Sequence, residues 1–362
     1  MIRVLHVVVA GELGGAEHML RDLAAPGASR IVDHQLALLS PTPALARFFA
    51  DAGLVVHDGG SVREDPVSQV VRALGGGRTR FVVETARRLA PAIVHLHTFA
   101  SQVPGTRAAR AIGARVVRTE HSTRVYDDPS CWPLSRWSLA RTDAVVAISA
   151  HVRDAALAKA PWVADRIRVV PNGVDTEKFA PRDAERHADF TFALVGRLEP
   201  RKGVDRALRA LAEVPRARLD IVGDGESRTE LEALARSLGL SERVAFHGYL
   251  ADPRPVLARA DAALASSRKE GLGIAFLEAM AMGLPLVTVP VGGLTEIVRD
   301  GETGHIAKDE SPRAIAEAMN GLAQDRAHAR ALGTHAREDV VARYSLGAMR
   351  RGYERVYAEL VR

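Results

Sequence analysis

Two glutamates, Glu270 and Glu278, stand eight residues apart in the run 267–285, SRKEGLGIAFLEAMAMGLP. Two helical turns take about 7.2 residues, so both carboxylates can face one cleft, Glu270 at its mouth and Glu278 further along. Carboxylates accept hydrogen bonds from sugar hydroxyls. The loop amides at Gly271–Gly273 and the helix dipole behind them favour an anion. Glu278 also reads as a solvated helix residue. Yet Phe276, Leu277, Ala279, Met280 and Ala281 surround it, and a charge in that apolar run needs a partner.

A basic pair, Arg197 and Lys202, lies in the run 196–203, GRLEPRKG. A guanidinium fork and a point-charge ammonium together suit a diphosphate. Solvated surface cations are the plainer reading. Three glycine-bearing junctions accompany the pair: Gly11 to Glu17 with Gly14 and Gly15, Gly223-Asp224-Gly225, and Gly292-Gly293 before Glu296. Adjacent glycines before a helix let backbone amides approach an anion. They serve equally as tight turns or close-packing points, and for Gly223–Gly225 close packing is the preferred reading. His95 and His97 alternate on one strand and can share a face. Without a third ligand nearby they make a weak metal case, so His97 reads as a cleft-edge or packing residue and no metal is expected.

These residues need elements to hold them. In residues 1–178, short Val/Ile-rich runs alternate with helical patterns. Strands are expected at 4–9, 36–39, 93–97, 116–119, 144–148 and 167–170, with helices at 16–23, 81–89 and 102–111. The strands lack in/out alternation, as in a parallel sheet buried on both faces. The charged stretch 179–189 reads as a linker and hinge. The pattern then restarts, with strands at 190–195, 218–222, 244–246, 262–265, 286–289 and 304–306 and a helix from about 204. A last helix, 346–361, aligns Met349, Tyr353, Val356 and Tyr357 on one face. The expected fold is α/β, two doubly wound Rossmann-like domains in tandem with a ligand cleft between them. Domain one spans 1–180, domain two 181–345, and 346–362 forms the terminal helix.

The chain has 362 residues, enough for two cores. Apolar residues make up 47% and charged residues 26%, which excludes a disordered or collagen-like chain. Cys131 is alone, which excludes an intrachain disulfide and fits a reducing cytoplasm. No run of 18 apolar residues is present, so a soluble protein is expected. Residues 1–180 hold 22 Lys and Arg against 17 Asp and Glu, whereas the remainder is balanced at 27 against 27. The excess suggests an anionic partner for the first half. Nucleic acid is disfavoured, because aromatics are only 5% and no basic block is dense.

Taken in order, these motifs resemble those of the retaining glycosyltransferases of family 4. They are the Gly14-Gly15 loop, the run 170–175 (VPNGVD), Arg197 with Lys202, Gly223-Asp224-Gly225, the Glu270/Glu278 pair and Gly292-Gly293 with Glu296. The resemblance covers nearly the whole chain. It implies a GT-B fold whose C-terminal helix crosses back to domain one. It implies that Arg197 and Lys202 hold the donor diphosphate, Glu270 the hydroxyls of the transferred sugar, and Glu278 the ribose. Gly14 and Gly15 would approach the phosphates or sugar, and His121 would lie near the sugar. Gly271, Leu272, Gly273 and Ile274 would line the donor loop, and Tyr249 and Leu250 would meet the base. Leu272 stands where the family usually has an aromatic.

The implied reaction moves a sugar from a nucleoside diphosphate sugar, UDP-sugar first and GDP-sugar second, to a hydroxyl of a glycan or lipid-linked acceptor. Retention follows from the same resemblance; independence from metal is expected because Arg197, Lys202 and the loop amides would replace a divalent ion at the leaving diphosphate, and no cofactor is expected. A cell-envelope polysaccharide or glycolipid is the expected product. The expected location is cytoplasmic and peripheral to the membrane. Arg72, Arg78, Arg80, Arg87 and Arg88, with Phe81, Val82 and Val83, are the expected contact with an anionic membrane. The rival readings are a non-catalytic sugar-nucleotide-binding protein and a GT-B sugar-nucleotide epimerase.

Overall fold

A computed structural model describes residues 1–9, 14–40, 42–62 and 79–362. The chain divides into two compact units.

The first unit comprises Met1–Asn172 and Leu346–Arg362. Its parallel sheet contains β1 (Ile2–Val9), β2 (Val32–Leu39), β3 (Val55–Asp58), β4 (Ile93–Leu96), β5 (Arg115–Glu120), β6 (Ala144–Ala147) and β7 (Ile167–Val169). The order is β3-β2-β1-β4-β5-β6-β7. β1 sits centrally, so its apolar run is buried from Val4 to Val9. The direction of the order reverses between β1 and β4, which puts the switch point at their carboxyl ends. Register pairs Val4 with Ile93 and His6 with His95.

The helix Leu346–Leu360 belongs to this unit. Met349, Tyr353, Val356 and Tyr357 share a core cluster with Val4, Ile93, Val117 and Val146. Gly352 lies against Val170 so closely that a Cβ would sit 2.6 Å from Val170 Cγ1.

The second unit is Gly173–Ser345. It contains β8 (Phe190–Val195), β9 (Ala217–Val222), β10 (Val244–Gly248), β11 (Ala262–Ala265), β12 (Leu286–Thr288) and β13 (Gly304–Ile306). All pairs are parallel in the order β10-β9-β8-β11-β12-β13, with the reversal between β8 and β11.

The chain passes from one unit to the other at Asn172/Gly173, earlier than the expected boundary at 180. Phe179, the expected start of a hinge, is buried, and the carbonyls of Thr176 and Phe179 accept hydrogen bonds from Arg337 of the second unit. Residues 181–188 do run exposed, but they belong wholly to the second unit. Arg186 in that stretch pairs at 3.2 Å with Asp261, a buried carboxylate that also takes Arg326 at 3.1 Å. β3 and the helix Pro43–Asp51 were not expected. Among the described residues no helix is long and apolar enough to cross a membrane.

Candidate functional site

The carboxyl ends of β8 and β11 bring together the basic run and the glutamate loop of the second unit. Lys202 Nζ donates to Glu270 Oε2 at 2.6 Å, closing a gap of 68 residues in sequence. Both side chains are largely buried, at 16% and 10% exposure. Ser267 Oγ also faces Glu270 Oε2, at 3.4 Å. The ammonium lies 5.8 Å from the centroid of Phe276. It has three donors, so the bond to Glu270 leaves others to offer a ligand. Arg197 is exposed on the loop that follows β8.

The helix Ile274–Ala281 starts at Gly273, whose φ is +91°. Phe276, Leu277, Ala279, Met280 and Ala281 are buried along it, and Glu278 is half-buried. Leu272, where the family usually carries an aromatic, is buried. Gly271, Gly273 and Ile274 are half-buried, and Tyr249 beyond β10 is 78% exposed with Leu250 half-buried beside it.

Two glycines here work by close packing. A Cβ on Gly223 would overlap the carbonyl of Gly196, and one on Gly293 would overlap the carbonyl of Gly271. Gly293 N–H also donates to Glu270 O at 3.2 Å. The two junctions therefore seat the β8 loop and the glutamate loop against their neighbours.

A further pair holds this edge together and escaped the sequence reading. Arg268 forks onto Asp205 at 2.7 Å twice and donates to Pro200 O at 2.8 Å. Its amide donates to Arg201 O at 2.8 Å. The hydrogen bonds from Arg268 hold the Asp205 carboxyl below its usual range. Arg268 thus straps the 200–205 turn, which carries Lys202, to the loop carrying Glu270. A bridge between positions 63 apart leaves no local signal in a sequence.

In the first unit, Gly14 caps the helix Gly15–Ala24, and its amide donates to Glu17 Oε2 at 3.0 Å. Gly11 to Leu13 lie outside the described residues. His121 follows β5, and burial pulls its pKa down to about 4. Its neighbour Glu120 is buried and paired with Arg118. His95 and His97 do share a face, and the structure adds the third histidine that the sequence did not offer. His6 on β1 puts Nδ1 2.8 Å from His97 Nε2.

The helix Thr79–Leu89 limits what the expected membrane contact could use. It buries Val82, Thr85 and Ala86, and Phe81 and Val83 pack against the sheet core, so those apolar side chains face inward. Arg80, Arg87 and Arg88 are exposed, while Arg72 and Arg78 lie outside the described residues.

Comparison with known proteins agrees with this organisation. Residues 13–178 match the model of Glycosyltransferase Family 4, and residues 175–339 match that of Glycosyl transferases group 1. A GDP-mannose-dependent alpha-(1-6)-phosphatidylinositol monomannoside mannosyltransferase of Mycolicibacterium smegmatis is 35% identical over 259 residues, covering 64% of this chain and 67% of that protein. A putative glycosyltransferase of Bacillus subtilis, EpsD, is 30% identical over 272 residues, covering 68% and 71%. The crystal structure of Anabaena HepE with UDP-glucose shares the fold at a TM-score of 0.83 and 22% identity, over 99% of this chain and 100% of that one. The chain belongs to the family 4 glycosyltransferases and has their GT-B fold.

Proposed function

We propose that the protein transfers a sugar from a nucleoside diphosphate sugar to a hydroxyl of a glycan or lipid-linked acceptor, with retention at the anomeric carbon. The observation that carries this reading is the 2.6 Å pair of Lys202 and Glu270 at the strand ends of the second unit. In this reading it supports a cation for phosphate beside a carboxylate for sugar hydroxyls.

In this reading the ammonium of Lys202 and the guanidinium of Arg197 take the diphosphate. Negative charge grows on the leaving phosphate as its bond to the anomeric carbon breaks, and the two cations with the loop amides stabilise it. The sugar passes through an oxocarbenium-like state. The acceptor oxygen bonds to the same face, and its proton goes to the departing phosphate oxygen. Glu270 orients sugar hydroxyls and Glu278 the ribose. The cations supply the charge that a divalent metal supplies elsewhere, so this chemistry calls for none. On the first unit, His121 and Gly14-Gly15 keep the donor roles that the resemblance assigns. A lipid-linked acceptor in envelope synthesis is supported by the mannosyltransferase relative, whose name carries a phosphatidylinositol acceptor.

The test is a panel of UDP- and GDP-sugars with chelator present, followed by mass spectrometry of released nucleoside diphosphate. Both bases belong in the panel, because the relative is named for GDP-mannose and the structural neighbour holds UDP-glucose. Slow release from one donor is expected. Nucleotide binding with no turnover from any donor, even with lipid and glycan acceptors added, would favour the binding-protein reading.

A further inference from the structure

Five histidines of the first unit crowd one region of its sheet. His6 lies on β1, His34 on β2 and His95 on β4, and His97 and His121 follow β4 and β5. The ring of His6 is 5.1 Å from that of His34, 5.2 Å from His95 and 5.1 Å from His97. His95 and His97 are 4.0 Å apart, and His97 and His121 5.8 Å. The parallel register that pairs His6 with His95 creates the cluster, together with the alternation that puts residues 95 and 97 on one face.

The protons in this cluster can be followed. A neutral imidazole has one N–H and one bare nitrogen. His6 Nδ1 meets His97 Nε2 at 2.8 Å, and His6 Nε2 meets His34 Nδ1 at 2.8 Å. Each contact holds one proton between two nitrogens. The chain ends on His97 Nδ1 and His34 Nε2, both buried and without a hydrogen-bond partner among the described residues. Both ring nitrogens of His121 are in the same condition. A buried polar atom left without a partner forfeits its hydration and gains nothing in return, so the bare end of this chain of imidazoles can take up a proton displaced from within it.

We propose that His6, His95 and His97 bind one divalent transition-metal ion of the zinc, nickel or cobalt class, apart from the sugar-transfer chemistry and independent of the donor assignment. Each of the three offers one ring nitrogen, and those nitrogens lie within 4.8 Å of one another. Imidazole suits these ions. A zinc–nitrogen bond is about 2.0–2.1 Å, so the ion fits between His6 Nδ1 and His97 Nε2 once the pair opens by roughly half an ångström. It replaces the proton held there. That proton stays in the cluster. It moves to His97 Nδ1 in one tautomer, or is passed along to His34 Nε2 in the other.

His95 gives up Nε2 most readily. That nitrogen faces Thr119 Oγ1 at 2.8 Å, and the hydroxyl keeps a second partner in Tyr353 at 3.1 Å. His95 Nδ1 stays on the Tyr357 hydroxyl at 2.7 Å, and His6 Nε2 stays on His34. Such outer partners orient ligating imidazoles. The fourth position is left to water.

The test uses the full chain without a polyhistidine tag, stripped with chelator and titrated with Co²⁺. One Co²⁺ per chain is expected, with the visible bands of a tetrahedral site that Zn²⁺ then bleaches. His97→Gln should weaken binding about ten-fold or more. His328→Gln removes the exposed member of another histidine pair, His305–His328, with rings 6.4 Å apart, and should change nothing. No binding, or binding that follows His328, overturns the proposal. Nitrogen-15 spectra of the unsubstituted chain guard against a misfolded variant. Zn²⁺ should shift the buried imidazole nitrogens, and an unchanged spectrum overturns the proposal.

Discussion

Lys202 and Glu270 lie 68 residues apart in the chain and 2.6 Å apart in space. Each is tied into a short local run of glycines and charges, which is why both stand out in the sequence itself. Removing the ammonium should act on the transition state, where charge gathers on the phosphate. Lys202→Ala is therefore expected to lower kcat by roughly 100-fold or more, with little change in Tm. Steady-state kinetics beside a thermal melt checks this, and a folded variant with full activity would remove Lys202 from the diphosphate role. His6 was not legible in the same way. One histidine in an apolar strand looks like any other core residue, and only the register of β1 against β4 puts it beside His95. Arg268 and Asp205 were hidden for the same reason, since their partnership exists only once two loops meet.

At the level of elements, strong apolar runs announced themselves. β1, β8 and β11 are Val-, Phe- or Ala-rich and buried on both faces, so their sequences carry little else. β3 was silent because it is an edge strand of four residues, exposed or half-buried throughout. The unit boundary was misplaced because charge marked 179–189 as a linker, while Phe179 is buried and belongs to the second unit. The strap from Arg268 has a consequence for the loops it joins. Its ion pair is 38% and 35% exposed, so Arg268→Ala should cost under about 1 kcal/mol of stability. Activity should fall further than that, about ten-fold or more, because a small misplacement of a positioned group is costly. Comparing kcat with Tm for this variant tests the point, and equal small effects on both would make the strap a surface ion pair only.

Across the whole molecule, the positive excess of residues 1–180 finds an outlet on the helix Thr79–Leu89, whose exposed Arg80, Arg87 and Arg88 face solvent while its apolar side packs inward. Any attraction to an anionic bilayer should then be electrostatic, without insertion. Co-sedimentation with anionic vesicles is expected at low salt and should vanish as salt rises past the screening range. Binding that resists salt, or its absence at low salt, would refute this account. The first unit also has an unusual debt to residues that follow the second. Its core includes Met349, Tyr353, Val356 and Tyr357, contributed by the final helix. On the ribosome, the strands β1 to β7 emerge first but lack the helix that covers Val4, Ile93 and Val117. The second unit, continuous from Gly173 to Ser345, has every residue it needs before residue 346 is made. The half made first is thus the half completed last, and a nascent chain stalled before residue 346 carries an apolar face that a chaperone would recognise.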